Sequence, residues 1–466
     1  MRRKEKLVTV QLTGLTHKGE SVGRTEEGVV VFVQGGVPGD KAIVSLARKR
    51  KGVWNGFVKE ILTESQNRVI PVCQHFNYCG GCSWQNLSYP AQLALKEKVV
   101  IDSLTRIAKV SVNSLEPILA CNQEYYYRNK LEFTFSNRRW LLPEELQNDV
   151  IDVNKNALGF HRPGTFDKIV DISQCHLQID LSNQIRNSLK NYCLSNNLSF
   201  YDVKNHVGFL RNLIIKTNEN EQALVLISFS EDNQSEIQSI FSFLKNNFPQ
   251  ICSAYYAINT KKNDSWFDLQ CIKVYGEDYL LTNLHHAKYC IGPKSFFQTN
   301  RLQAEQLYAL VKKYAEFQGH ENVYDLYCGV GSIGIYLADQ VKNVIGIEEI
   351  PEAIDDAKIN AKLNNLTNCS FLTGDVKALL NDELKSKFGA PDVVIVDPPR
   401  VGIHPDVIAE IINFAPMKII YVSCNPSTAA RDFALFDEAY QIERLRPVDM
   451  FPMTNHIELV SILIRR

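Results

Sequence analysis

The stretch NVYDLYCGVGSIGIYLADQV, residues 322–341, decides the fold. An apolar run that ends in a glycine-rich turn and passes into helix-like sequence is the strand–loop–helix opening of an α/β layer. Four later runs repeat the rhythm: NVIGIEE from Asn343, CSFLTGD from Cys369, DVVIVDPP from Asp392 and KIIYVSC from Lys418. Near-continuous apolar runs at this spacing predict a parallel sheet covered on both faces, with ligands at the carboxyl ends of its strands. The unusual residues of the region fall at those ends.

Upstream of about residue 300 the pattern changes. LVTVQLTGL, GVVVFV, KAIVSLARKR and WNGFVKEIL alternate apolar and polar residues, with turns expected at Ser21–Arg24, Gly35–Gly36 and Pro38–Asp40. They predict an OB-like β-barrel over residues 1–64. Arg2, Arg3, Lys4, Lys6 and the run Arg48, Lys49, Arg50, Lys51, flanking Trp54, suit a nucleic-acid platform, with a solvated basic face as the plainer alternative. AQLALKEKVVIDSLTRIAK, residues 91–109, has apolar side chains at helical spacing. From about 122 to 290, KLEFTFS, FLRNLIIKT and QALVLISFS mix with helical SEIQSIFSFLKNNF, an α+β pattern. The whole is thus expected to be a multidomain α/β protein of 466 residues with a net charge of -1, which neither requires nor excludes a polyanionic partner. No apolar stretch approaches the roughly 20 residues of a membrane span. The start, MRRKEKLVTV, lacks the apolar core of a signal peptide. Twelve cysteines are then expected to be reduced thiols in the cytoplasm.

Glycines at 329, 331 and 334 let the backbone turn tightly against a ligand, and a helix N-terminus comes directly after. The next strand ends in Glu348, whose carboxylate can accept both hydroxyls of an adenosine ribose. NAD and FAD enzymes share such loops. Asp325 at the first strand end, where a carboxylate can meet an ammonium, Gly374-Asp375 after the third and Asp397-Pro398-Pro399-Arg400 after the fourth favour S-adenosylmethionine.

The fifth strand delivers Cys424-Asn425-Pro426 to the same crevice. Uracil C5 is a poor nucleophile, and a thiolate added at C6 makes it reactive before leaving again. HIELVSILIRR, from His456, puts His456 and Glu458 on the face of Val460 and Ile462. A carboxyl kept in so apolar a strand suits a base that removes the C5 proton, a structural ion pair being the alternative. Separately, Cys73, Cys79 and Cys82 fall within ten residues, with Cys175 as a candidate fourth thiol. That spacing admits zinc, an iron–sulfur cluster or coincidence.

Ser423-Cys424-Asn425-Pro426, the run Asp449 to Glu458 (DMFPMTNHIE), Ser295 to Asn300 (SFFQTN) and Tyr127-Arg128-Asn129-Lys130 together resemble the RNA (uracil-5-)-methyltransferase family along the whole chain. The nearest type combines a TRAM barrel and an iron–sulfur cluster and acts on 23S ribosomal RNA. The resemblance implies Cys424 as nucleophile and Glu458 as proton acceptor. It implies Gln298, Tyr327, Ser332, Glu348, Asp375 and Asp397 around S-adenosylmethionine, although Ser332 and Asp375 stand where relatives often carry asparagine. It implies a [4Fe–4S] cluster on Cys73, Cys79, Cys82 and Cys175, read as a brace. It further implies a central domain of 65–90 with 120–292, and a Rossmann-like methyltransferase domain of 91–119 with 293–466. The expected partner is RNA, 23S ribosomal before transfer RNA, bound by a monomer with no membrane. An iron–sulfur dinucleotide oxidoreductase leaves Cys424 and Glu458 without purpose, and a non-catalytic RNA-binding factor does not need them.

Overall fold

The computed structural model describes residues 6–16, 19–50, 52–142, 145 and 154–466. Arg2, Arg3, Lys4 and Lys51, and the side chains of Arg48 and Arg50, lie outside the described residues.

Strands Lys6–Leu15, Ser21–Thr25, Val30–Gln34, Lys41–Arg50 and Val53–Thr63 close into a barrel around Val10, Leu12, Val31, Val33, Ala42 and Val44. The turn expected at Ser21–Arg24 is instead the second strand. Gly23 permits this, because a Cβ there would lie 2.3 Å from the Gln11 carbonyl oxygen. Small barrels bring backbones that close, and glycine marks the place. On the barrel wall, Lys6 and Lys49 approach the Trp54 ring at 5.6 and 5.7 Å. Asp40 ties the barrel to the segment beyond its last strand, accepting hydrogen bonds from the Val37 and Ser65 amides and from Arg68 at 2.5 Å.

The middle of the chain forms a seven-stranded sheet ordered Ile272–Gly276, Ile251–Ile258, Ala223–Phe229, Leu210–Thr217, Lys130–Ser136, Ala157–His161, Ile169–Asp171. Helices Asp180–Ser195 and Gln234–Asn247 bury Ile185, Leu189, Ile237 and Ile240 in the core it shares with Phe133, Leu213 and Val225.

The last part builds an eight-stranded sheet. Cys369–Thr373, Asn343–Glu348, Asn322–Leu326, Val393–Val396 and Lys418–Ser423 run parallel, as their unbroken apolar sequences require. Glu458–Arg465 and Tyr440–Val448 add an antiparallel end, and Val112–Leu115 joins the far edge. Apolar cores cover both faces. Strand order reverses between Asn322–Leu326 and Val393–Val396, which opens a crevice at their carboxyl ends.

The helix expected over 91–109 runs Tyr89–Ser103 and ends in a π turn, Leu104–Ala108, with Lys109 left-handed. Its buried face is mixed, with Val100, Leu104 and Ala108 beside polar side chains. Gln92, Lys96, Val100 and Ser103 point inward, while Ile101 and Ile107 are exposed. The reason is that Gln92 and Lys96 satisfy polar groups of the turn at residues 449–453. Among the described residues no helix is long and apolar enough to cross a membrane.

Candidate active site

The turn after Asn322–Leu326 is set by three left-handed residues, Tyr327 at φ 63°, Gly329 at 54° and Gly331 at 73°. A tyrosine adopts that conformation only where its surroundings impose it. The Glu348 carboxylate reaches back to this turn, accepting from the Gly329 amide at 3.1 Å and from the Ile350 amide at 3.0 Å. Gly334 lets Asp325 approach the helix: its amide donates to Asp325 Oδ2 at 3.0 Å, and a Cβ there would stand 2.9 Å from that oxygen. Asp325 Oδ1 is buried with no partner among the described residues. Burial first, then Asp397 and Glu348, push this carboxyl up to about 7. An unpartnered buried acceptor costs about 1–3 kcal/mol, so a cationic donor fits the place well. The acceptors of the turn, Asp325 and Glu348, therefore suit the ammonium and ribose hydroxyls of S-adenosylmethionine.

The other expected cofactor residues are less alike. Ser332 Oγ accepts from Tyr308 at 2.9 Å, and the Ser332 carbonyl accepts from Tyr289. Asp375 is exposed and caps the short helix Val376–Leu379, with Oδ1 on the Lys377 amide at 3.0 Å. Tyr327 is half-buried, and burial, Asp375, Asp432 and Glu348 raise its hydroxyl to about 12. Gln298 is 9% exposed on a loop held from outside the sheet. Asn129 donates its side chain to the Gln298 carbonyl and its amide to that of Thr299. Asn300 caps the helix Arg301–Ala315 and donates to the Met450 carbonyl.

Strand register brings Cys424 and Glu458 to one end of the sheet. Ser423 pairs with Leu459 as the last pair of the ladder, and Cys424, in the bend just beyond, lies within electrostatic reach of Glu458. Asp397 and Arg400, from the neighbouring strand end, stand within electrostatic reach of both. Burial, Glu458 and Asp397 push the Cys424 thiol up to about 11, while Arg400 pulls it down. Glu458 is 5% exposed, and burial followed by Asp397 raises its carboxyl well above the usual range. Burial raises Asp397 to about 6. The crevice thus gathers one thiol, two protonatable carboxyls and one guanidinium. Arg400 is steadied from below, its carbonyl accepting from Asn425 at 3.0 Å and from Thr428 at 3.4 Å. The strand begins at Glu458, and His456 precedes it with its ring exposed and edge-on to Phe451. His456 therefore does not share the buried face expected for it, because Thr454 Oγ1 holds the His456 amide within the preceding turn.

Gln92 and Lys96, which the sequence pattern did not single out, hold this turn in place with Asp449 and Tyr127. Lys96 and Asp449, both with side chains shut off from solvent, pair at 2.5 Å, and Lys96 also donates to the Phe451 carbonyl. Gln92 accepts from the Met453 amide, and Tyr127 donates to the Pro452 carbonyl. Gln92 and Lys96, one helical turn apart, are the signal that was available: two polar residues on one stripe of an otherwise ordinary helix.

Cys73, Cys79, Cys82 and Cys175 line one cavity of about 320 Å³, together with Phe76, Phe160, Ile172, Arg128 and Lys130. None of the twelve cysteines forms a disulfide. Among the described residues no three His, Cys, Asp or Glu side chains are drawn together closely enough to hold a metal ion. The thiols surround a space and not a point. Burial raises all four, Cys82 to about 12, with the neighbouring thiols adding to the rise of Cys79, Cys82 and Cys175. Arg128 acts against it at Cys82 and Cys175, favouring thiolates. A group that binds four thiolates fits this donor set.

Comparison with known proteins shows the family. Residues 269–466 match the family model described as tRNA (Uracil-5-)-methyltransferase, and residues 1–53 match the TRAM domain. An uncharacterized RNA methyltransferase of Porphyromonas gingivalis is 43% identical, covering 98% of this chain and 99% of its own length. One from Bacteroides thetaiotaomicron is 42% identical, covering 96% and 99%. The crystal structure of Pyrococcus abyssi tRNA (uracil-54, C5)-methyltransferase with S-adenosyl-L-homocysteine superposes with a TM-score of 0.77, at 28% identity, over 98% of this chain and 99% of that one. The chain belongs to the RNA (uracil-5-)-methyltransferase family and is a methyltransferase dependent on S-adenosylmethionine.

Proposed function

We propose that this chain methylates C5 of a specific uridine in structured RNA, with 23S ribosomal RNA as substrate. The observation that carries the reading is the gathering of Cys424 and Glu458 within electrostatic reach of each other, of Asp397 and of Arg400, at the end of the ladder that joins Ser423 to Leu459. Gln298, Tyr327, Ser332, Glu348, Asp375 and Asp397 hold the cofactor, and Asp325 meets its ammonium. Bound S-adenosylmethionine supplies the methyl group. Cys424 Sγ, once deprotonated, adds to uracil C6 and leaves C5 nucleophilic. After C5 is methylated, Glu458 removes the C5 proton, the carbon–sulfur bond breaks, and the thiolate returns. Arg400 favours the thiolate, and Asp397 also faces the base. The uridine must leave its stack to reach this crevice, at a few kcal/mol, less from a loop.

The chain is divided into a TRAM barrel (1–64), a central domain (65–90 with 120–292) and the catalytic domain (91–119 with 293–466). The packing of Val100, Leu104 and Ala108 into the core under the methyltransferase sheet supports the last grouping. Cys73, Cys79, Cys82 and Cys175 hold a [4Fe–4S] cluster that braces the link after the barrel. Methyl transfer and proton loss change no oxidation state, so the reaction asks no electron of it. The enzyme acts as a cytoplasmic monomer, for which the free thiols are suited.

Transfer RNA is the second reading, favoured by the full-length likeness to the archaeal enzyme. The test offers methyl-labelled cofactor with 23S ribosomal RNA and, separately, transfer RNA from a strain lacking this gene. Label in 5-methyluridine of 23S RNA alone is expected. Label in transfer RNA alone selects the second reading, and label in neither, or on another base, overturns both.

A further inference from the structure

A loop of the central sheet, residues 259–268, is held more rigidly than a connection requires. It joins Ile251–Ile258 to Ile272–Gly276 at the sheet edge. The buried Arg211 guanidinium donates to the carbonyls of Asn259 at 2.6 Å, Lys261 at 2.5 Å and Asn263 at 2.7 Å, and to Asp264 at 3.2 Å. Asn259 Nδ2 adds bonds to the carbonyls of Asn263 and Ser265. What this frame presents is an aromatic pair. Trp266 is 2% exposed, with its indole N–H on Glu132. Phe267 is stacked on it with centroids 4.3 Å apart and planes at 22°, yet is 51% exposed. Lys130 Nζ lies 5.1 Å from the Phe267 centroid and pairs with Glu132 at 2.6 Å.

A single exposed apolar side chain is ordinary. One that is stacked flat on a buried tryptophan, in a frame fixed by a buried arginine, is a preorganised face. Its position matters as much. Lys130, which reaches the Phe267 ring, follows Asn129, whose side chain and amide hold the Gln298 and Thr299 carbonyls, so one strand start touches both the aromatic pair and the cofactor loop. Lys262 is exposed, and Asp268, next to Phe267, pairs with Lys261 at 2.5 Å and lies within electrostatic reach of Lys294, so lysines border the face with Asp268 among them. An open aromatic face, with Lys262 exposed near it, fits the flat surface of a nucleobase.

We propose that Phe267 is a stacking platform for an unpaired base of the RNA substrate, outside the crevice that takes the target uridine. The proposal rests on the chain being an RNA methyltransferase of the kind proposed and adds a contact for a base that is not modified. Stacking there secures the strand while the target is turned out.

The test compares the full-length protein with Phe267→Ala, Phe267→Leu and Phe267→Trp. Retention on filters of full-length 23S ribosomal RNA and of unfractionated transfer RNA, both from a strain lacking the gene, reads affinity without requiring turnover. Methyl transfer then gives kcat and KM for the RNA that is modified. Phe267→Ala should weaken binding and raise KM for that RNA by about 5- to 150-fold, the loss of one stacked base. Cofactor affinity, kcat at saturating RNA and melting temperature should stay with the parent. Phe267→Leu, which keeps apolar cover on Trp266, should behave as Phe267→Ala, and Phe267→Trp should match the parent. RNA affinity within twofold of the parent in Phe267→Ala overturns the platform. So does rescue by leucine, which makes the role packing alone. Methylation of another base would sink the reading of function while filter binding still judged the platform.

Discussion

Glu458→Gln isolates the last chemical step. Glutamine keeps the size of the side chain but cannot accept the C5 proton at a useful rate. A positioned general base contributes about 10²–10⁴-fold, or about 2.7–5.5 kcal/mol of barrier. The geometry sharpens that range. Glu458 is 5% exposed, so water reaches C5 poorly, and Asp397 is the other carboxyl within reach. If Asp397, raised to about 6, takes over, the loss sits at the lower end; if it does not, at the upper. Cysteine addition precedes the step, so a covalent protein–RNA adduct already carrying the methyl group should accumulate. The variant should also melt no lower than the parent, because a buried carboxyl with a raised pKa gives way to a neutral amide. Denaturing gels with methyl-labelled cofactor should show label migrating with protein, converted by ribonuclease to a nucleotide-tagged chain. Turnover within tenfold of the parent refutes the assignment, as does failure to form adduct while RNA and cofactor still bind. His456, exposed and outside the strand, is the weaker substitute base.

Cys424→Ala should abolish methylation and leave cofactor affinity near the parental value by calorimetry; a tenth of parental activity would exclude covalent catalysis through this thiol. Glu348→Ala should raise the cofactor dissociation constant by a factor equivalent to about 1.5–3 kcal/mol, the worth of a charged acceptor. Unchanged affinity in the same titration would displace the ribose from Glu348. Asp325 is raised from 3.8 to about 7, so the folded chain binds its proton more readily than the unfolded chain between those values. Stability without cofactor should therefore fall as pH rises from 5 to 7, by up to about 3 kcal/mol at about 1.4 kcal/mol per unit. Asp325→Asn should flatten that slope, and an equal slope in both proteins would refute the burial argument. Protein purified without oxygen should be brown with close to four irons, and Cys175→Ser should lose colour and melting temperature together. One zinc in a colourless protein would keep the ligands and reject the cluster.

The parallel sheet was legible because burial on both faces leaves an unmistakable trace, unbroken apolar runs such as DVVIVDPP. The glycines of the cofactor turn were legible for the same kind of reason, since steric necessity restricts what can stand at 331 and 334. Register was not. Nothing local in KIIYVSC or HIELVSILIRR states that Cys424 will come within electrostatic reach of Glu458; that follows from the antiparallel pairing of the strand ending at Ser423 with the one beginning at Glu458. Ser21–Arg24 misled because glycine serves turns and close strand approach alike, and only the Gln11 carbonyl opposite Gly23 decides between them. The helix after the cysteine segment was legible as a helix, but two of the residues it buries were not. Periodicity assumes that the buried face is apolar, whereas here the buried face carries Gln92 and Lys96 to a turn whose carboxylate and carbonyls need donors. Breaking that pair has a definite sign. Asp449→Ala leaves the Lys96 ammonium buried and unpaired, which should cost about 3–5 kcal/mol. Asp449→Ala with Lys96→Met removes both charges and should recover most of that loss. Recovery of stability without recovery of turnover would show that the pair, beyond holding the fold, aims the turn that leads into Glu458.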